Sequence, residues 1–78
     1  MRLSQMQIGQ SAVIKKVRAD EPIKGRLFAM GIAKGNRITL LDHTLKKETF
    51  EVEVEGTRVA LRKEEADAIE VEANDEKD

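Results

Sequence analysis

Apolar and polar positions along the chain change period repeatedly, and each change marks an element. After a Gly9-Gln10-Ser11 turn signal, residues 12 to 18 read AVIKKVR. These residues suit a strand, but Ala12, Ile14 and Val17 break the alternation that puts every second side chain on one face. A bulge between Ile14 and Val17 would return all three to a single face. Asp20 to Met30 then takes helical spacing, with Ile23, Leu27 and Met30 at i, i+4 and i+7 and Pro22 where a first turn tolerates it. Gly31 supplies a left-handed stop, and Ile32 can fold back onto the last turn as in a Schellman cap. Gly25 in the helix interior costs about 1 kcal/mol relative to Ala, so the helix depends on tertiary contacts.

Past the Lys34-Gly35-Asn36 turn signal the pattern is β to its end. Arg37 to His43 places Ile38 and Leu40 on one face and Thr39, Leu41 and His43 on the other. Phe50-Glu51-Val52-Glu53-Val54-Glu55 alternates strictly, apolar inward and acidic outward, and Arg58-Val59-Ala60-Leu61-Arg62 alternates again after Gly56-Thr57. The two form a hairpin, and two registers keep its apolar residues on one face. A type II′ turn at Gly56-Thr57 sets Glu55 opposite Arg58 and Glu51 opposite Arg62, whereas a turn at Glu55-Gly56 keeps only Glu53 opposite Arg58. Charge pairing therefore favours the first. Lys63 to Ala68 reads as one helical turn, and Ile69 and Val71 alternate with Glu70 and Glu72 as a closing strand. The expected fold is mainly β: a small barrel of about five strands, with one α-helix inserted after the first strand and a short helical turn before the last. Closure would remove exposed sheet edges.

Composition restricts what such a fold can do. At 78 residues and 8.8 kDa the chain has room for one domain. Its two aromatic residues are both Phe, so the core is aliphatic, and with no Cys there is no disulfide, zinc-finger or thiol chemistry. The longest apolar run, Leu27 to Ala33, is far below the roughly 20 residues that span a bilayer. No apolar stretch follows the N-terminal Met1-Arg2-Leu3, so no secretory signal is read and a cytosolic location is expected. The net charge of −1 is uneven, because residues 72 to 78 carry four acids and one base. We expect a domain over residues 1–72 and a disordered acidic tail over 73–78.

Candidate chemistry is sparse. No nucleophile is paired with a base, and the spacing of Gly25, Gly31 and Gly35 does not match a phosphate loop, so the chain is not expected to be an enzyme. His43, with Asp42 beside it and Glu48 nearby, is the one weak candidate for a transition-metal site; adjacent strand residues point to opposite faces, and no bound metal or cofactor is expected. Nucleic-acid binding lacks the aromatic platforms it needs. Phe28 lies off the Ile23–Leu27–Met30 stripe, close in sequence to Lys15, Lys16, Arg18, Lys24 and Arg26, and the cluster reads first as a solvated basic face and otherwise as a surface for an anionic patch on a partner protein or RNA.

The order Leu3-Ser4, Gly9, Ala12-x-Ile14, then RLFAMGIAKG over 26–35 and VALRKEEADAIEV over 59–71, resembles the FeoA family of small ferrous iron transport proteins. The resemblance implies an SH3-like barrel and a cytosolic accessory protein that acts with FeoB, a membrane ferrous iron transporter bearing a cytosolic GTPase domain. Within the matching motif, Leu27, Met30, Gly31, Ile32, Gly35, Leu61 and Arg62 take structural roles. Lys24, Arg26, Phe28 and Ala29 are left as the candidate contact with FeoB. The alternative is a module that binds iron itself, to sense or deliver it. Family members commonly carry a Pro-rich turn between the second and third strands, where this chain reads LDHTLKKET over 41–49.

Overall fold

Strand formation follows the alternating segments closely. The computed structural model describes residues 1–73, in which β1 (Ser11–Val17) leads into α1 (Ile23–Ala29). Strands β2 (Arg37–His43), β3 (Thr49–Val54) and β4 (Thr57–Arg62) follow, and α2 (Lys63–Ala68) then precedes β5 (Ile69–Ala73). The strands form one antiparallel sheet in the order β4-β3-β2-β1-β5. Among the described residues no helix is long and apolar enough to cross a membrane. Ala73 ends β5 opposite Ala12, one residue beyond the expected domain boundary; the rest of the expected tail, 74–78, lies outside the described residues.

The sheet is curled but not closed. β4 and β5 do not pair, and α2 spans the gap between them. The N-terminal segment covers the outer edge of β5: the Val71 N–H donates to the Met1 carbonyl at 2.7 Å, and Arg2 bridges Glu70. A 3₁₀ turn over Leu3–Gln5 then tucks Leu3 and Met6 into the core. The pattern of hydrophobic residues predicts no element there.

The β1 bulge is present, its register against β5 shifting between Ile14 and Lys16, so that Val17 again faces Ile69. The helix cap is also present: the Ile32 N–H reaches the Leu27 carbonyl and the Gly31 N–H the Phe28 carbonyl, both at 3.0 Å, with Gly31 at φ +93°. The hairpin register is corrected. Val54 pairs with Thr57 and Glu53 with Arg58, so the turn is Glu55-Gly56, with φ of 53° and 77° as a type I′ turn requires.

Packing explains that register. As observed, Phe50 faces Leu61 and Val52 faces Val59. The charge-paired alternative would set Lys63 opposite Phe50. Cross-strand apolar contact for a fully buried Phe outweighs exposed ion pairs worth a few tenths of a kcal/mol. The core lies between the curled faces of the sheet, with Ile14, Ile38, Leu40, Phe50, Val52 and Ile69 all fully buried.

Candidate functional site

Helix α1 is the main departure from the sheet, and its anchoring decides what it displays. Leu27 is fully buried and Ile32, just past the cap, is 1% exposed, so these two apolar side chains pin the helix end to the core. The Asn36 side-chain amide donates to the Gly31 carbonyl at 2.7 Å, and the Gly35 N–H donates to the Ile14 carbonyl at 2.8 Å, tying the return of the chain to β1. Met30 packs partly against the core. Leu61 is buried, while Arg62 precedes α2 and its N–H donates to Glu65 Oε1 at 2.9 Å.

The four residues expected to form the contact face are exposed but do not share one surface. Phe28 is 68% exposed and stands with Lys24 over an open groove of about 650 Å³ between β1 and α1. Arg26 points the other way, toward α2, where its guanidinium pairs with the carboxylate of Glu65. Sequence reasoning missed Glu65, which is 39 residues from Arg26 and is the buried charged side chain of the described residues. Its one cue is an acidic residue at the third position of α2, where a carboxylate caps the helix start. Ala29 is exposed on the helix but does not line the groove.

The floor of the groove is apolar, formed by Val17, Ile32 and Ala33, and Lys15, Lys16, Lys24 and Lys34 stand around it. Glu21, its one acid, accepts the Gly25 N–H at 3.0 Å, and a Cβ at position 25 would lie 2.7 Å from that carboxylate oxygen. Beside it, the Arg18 guanidinium hydrogen-bonds Glu70 at 2.9 Å and holds that carboxyl below its ordinary value of 4.5.

The residues named as metal candidates lie at the far end of β2. A second bulge, between Leu40 and Asp42, reverses the phase of the strand and sets His43 opposite Phe50, their ring centroids 5.9 Å apart. His43 therefore joins the inward face instead of sharing one with Thr39, as alternation had implied. Its Nδ1 lies 2.8 Å from the Thr44 carbonyl, and Asp42 Oδ1 accepts the His43 N–H at 2.8 Å. Asp42 and Glu48 are exposed, and no three His, Cys, Asp or Glu side chains converge on a metal-sized site among the described residues.

This arrangement defines a small SH3-like β module with a lysine-rimmed groove beside an exposed aromatic. Its sequence matches the FeoA domain over residues 1–73, and the chain belongs to the FeoA family. An Fe(2+) transport protein A of Campylobacter jejuni is 35% identical over 71 residues, covering 91% of this chain and 96% of the relative. FeoA of Stenotrophomonas maltophilia, solved in complex with zinc and described as an SH3 domain protein, superposes with a TM-score of 0.82 at 33% identity, over 92% of this chain and 89% of that one. A fusion of Fe(2+) transport protein A with the transporter FeoB, from Porphyromonas gingivalis, is 33% identical over 72 residues, 92% of this chain and 8% of the fusion. The family places the chain in ferrous iron transport.

Proposed function

We propose that the chain is a non-enzymatic accessory protein of ferrous iron uptake that works in the cytoplasm by contact with the cytosolic part of a FeoB transporter. The observation that carries this reading is the Porphyromonas gingivalis fusion, in which a segment similar to nearly the whole of this chain is covalently joined to FeoB. Fusion holds two partners at high effective concentration, which is useful where the separate chains must meet. Ferrous iron is the cargo of that system, and the contribution of this chain is a shaped surface.

Co-purification of the chain with the cytosolic GTPase region of FeoB tests the reading. Wild-type chain is expected to be retained, and a Lys24→Glu, Phe28→Ala double variant to be lost while its thermal melt stays nearly unchanged, since both side chains are exposed. Arg26 is left intact because its pairing with Glu65 would confound stability with binding. Failure of the wild-type chain to co-purify would discard the reading.

A second reading, that His43 with Asp42 or Glu48 takes up a divalent transition metal, draws on the zinc complex of the Stenotrophomonas maltophilia relative. Anaerobic calorimetry with ferrous iron decides it: no heat at micromolar protein discards a metal role.

A further inference from the structure

The groove between β1 and α1 combines three features that a plain solvated face does not. It is concave, its floor is apolar, and the exposed ring of Phe28 stands at its wall. Its lining carries four lysines, Lys15, Lys16, Lys24 and Lys34, against one acid, Glu21. Lys15 pairs with Glu72 at 3.2 Å, and Glu21 is engaged with the Gly25 N–H. Among the described residues, no carboxylate lies within ion-pair distance of Lys16, Lys24 or Lys34. The exposed ring and three lysines without an ion pair among the described residues, one of them, Lys16, set across the sheet from Glu70, thus line one pocket in a chain whose overall charge is −1.

We propose that this groove docks an acidic protein segment carrying one apolar side chain, which seats beside Phe28 on the Val17–Ile32–Ala33 floor while flanking carboxylates meet Lys16, Lys24 and Lys34. The inference deepens the transporter reading and rests on it for the source of the segment, an acidic stretch of FeoB's cytosolic part. Shape favours a protein segment over other anions. A bilayer is better met by protruding apolar side chains, and the most exposed large one among the described residues, Leu45, lies in the loop after β2 and does not line the groove. Single-stranded RNA binds by successive bases stacking on several aromatics, and the groove offers one. An aromatic wall with a rim of cations matches an apolar anchor between acids, where the anchor provides affinity and the rim provides approach rate and salt dependence.

A peptide titration followed by amide chemical shifts tests the proposal on the intact chain. The probe is a twelve-residue Asp/Glu peptide with one central Leu, compared with the same peptide carrying Ser for Leu and with a version carrying Lys for every acid. The acidic Leu peptide is expected to perturb Val17, Phe28, Ile32 and Ala33, and the other two to bind roughly tenfold more weakly or not at all. Phe28→Ala, or Lys16→Glu with Lys34→Glu, should each weaken binding about tenfold. Lys46→Glu with Lys47→Glu, at the far end of β2, should leave it unchanged. Raising salt should weaken binding several-fold. Perturbation centred elsewhere, no perturbation at all, indifference to the groove variants, or tighter binding of poly(U) or phosphatidylserine vesicles than of the peptide overturns the proposal. The transporter reading is scored separately. If the peptide binds the groove but FeoB's GTPase region does not co-purify, that reading fails and the groove stands; if the groove variants retain full FeoB binding, the groove fails and the reading stands.

Discussion

Strand β3 and helix α1 are nearly equal in length, six residues and seven, but they are held by different means. β3 buries Phe50, Val52 and Val54 and pairs with a neighbour on either side. α1 buries Leu27 alone, and an isolated helix of this length with an interior Gly is unstable in water. It persists because its C-terminal end is fastened, by Leu27, the Gly31–Ile32 cap, the Asn36 amide and the Arg26–Glu65 pair. The difference assigns tasks: the sheet makes the module stable, and the helix, fastened at one end, walls the groove opposite β1 and displays Phe28. Surfaces used for recognition are commonly drawn from such low-stability segments on rigid scaffolds.

The largest test of this contrast is Phe50→Ala. Removing a fully buried aromatic from the sheet should cost about 3–5 kcal/mol, a large share of the 5–15 kcal/mol that holds a small domain. Urea denaturation should show one cooperative transition at much lower midpoint, with α1 and the sheet lost together. A midpoint nearly unchanged would remove the sheet from its stabilising role. Leu27→Ala comes next, at about 2–4 kcal/mol if the helix and sheet unfold as one unit. The contrast predicts otherwise: amides of α1 should exchange much faster while those of β2 and β3 change little, because the helix opens on its own. Equal acceleration in all three elements would break the distinction.

What could be read from the sequence divides along the same line. The alternation in β3 and β4, the β1 bulge forced by Ala12, Ile14 and Val17, and the Gly31–Ile32 cap are all local consequences of side-chain period and backbone sterics, and the fold has each of them. Features that depend on distant partners were not legible. The bulge at Leu41 moves His43 against Phe50, and nothing in the local alternation calls for it. The hairpin register turned on whether Leu61 or Lys63 faces Phe50, where packing outweighed charge. For the candidate site, Phe28 and Lys24 were legible as residues lying off the apolar stripe. The commitment of Arg26 to Glu65 was not, because two chain segments 39 residues apart must meet before the pair exists.

A smaller effect sharpens the contrast at the joint between the two regions. Gly31 sits at φ +93°, a left-handed conformation that costs other residues about 1–2 kcal/mol, and its added Cβ would lie 3.4 Å from Glu55 Cγ. Gly31→Ala should therefore destabilise modestly, by about 1 kcal/mol or slightly more, lowering the melting temperature by roughly 4–10 °C. Gly31→Asn, which tolerates this region better, should recover part of the loss. Because the cap fastens α1 to the sheet, faster exchange in Gly31→Ala should concentrate at Phe28 to Ile32. An unchanged melt would show that the helix end does not need its cap.

The smallest effect concerns a third fastening, which binds the N-terminal turn to α2 and leaves α1 out. The Ser4 hydroxyl donates to Asp67 Oδ1, and Lys63 lies 3.2 Å from Oδ2. These partners, Ser4 foremost, hold the Asp67 carboxyl below its ordinary value of 3.8. A carboxyl whose folded pKa is depressed stabilises the fold above its unfolded value, and that contribution is lost as pH falls through the folded one, because the unfolded chain binds the proton first. The relevant window is thus below pH 3.8. Partial exposure of Asp67 and the open position of Lys63 keep the effect small and sensitive to salt. Amides of Gln5 and Met6, which close the 3₁₀ turn, should lose protection across that window in the wild-type chain. In Asp67→Asn, which cannot titrate, their protection should be lower at neutral pH and flat through the window. An Asp67→Asn variant that keeps the wild-type pH dependence would show that another carboxylate governs the N-terminal turn.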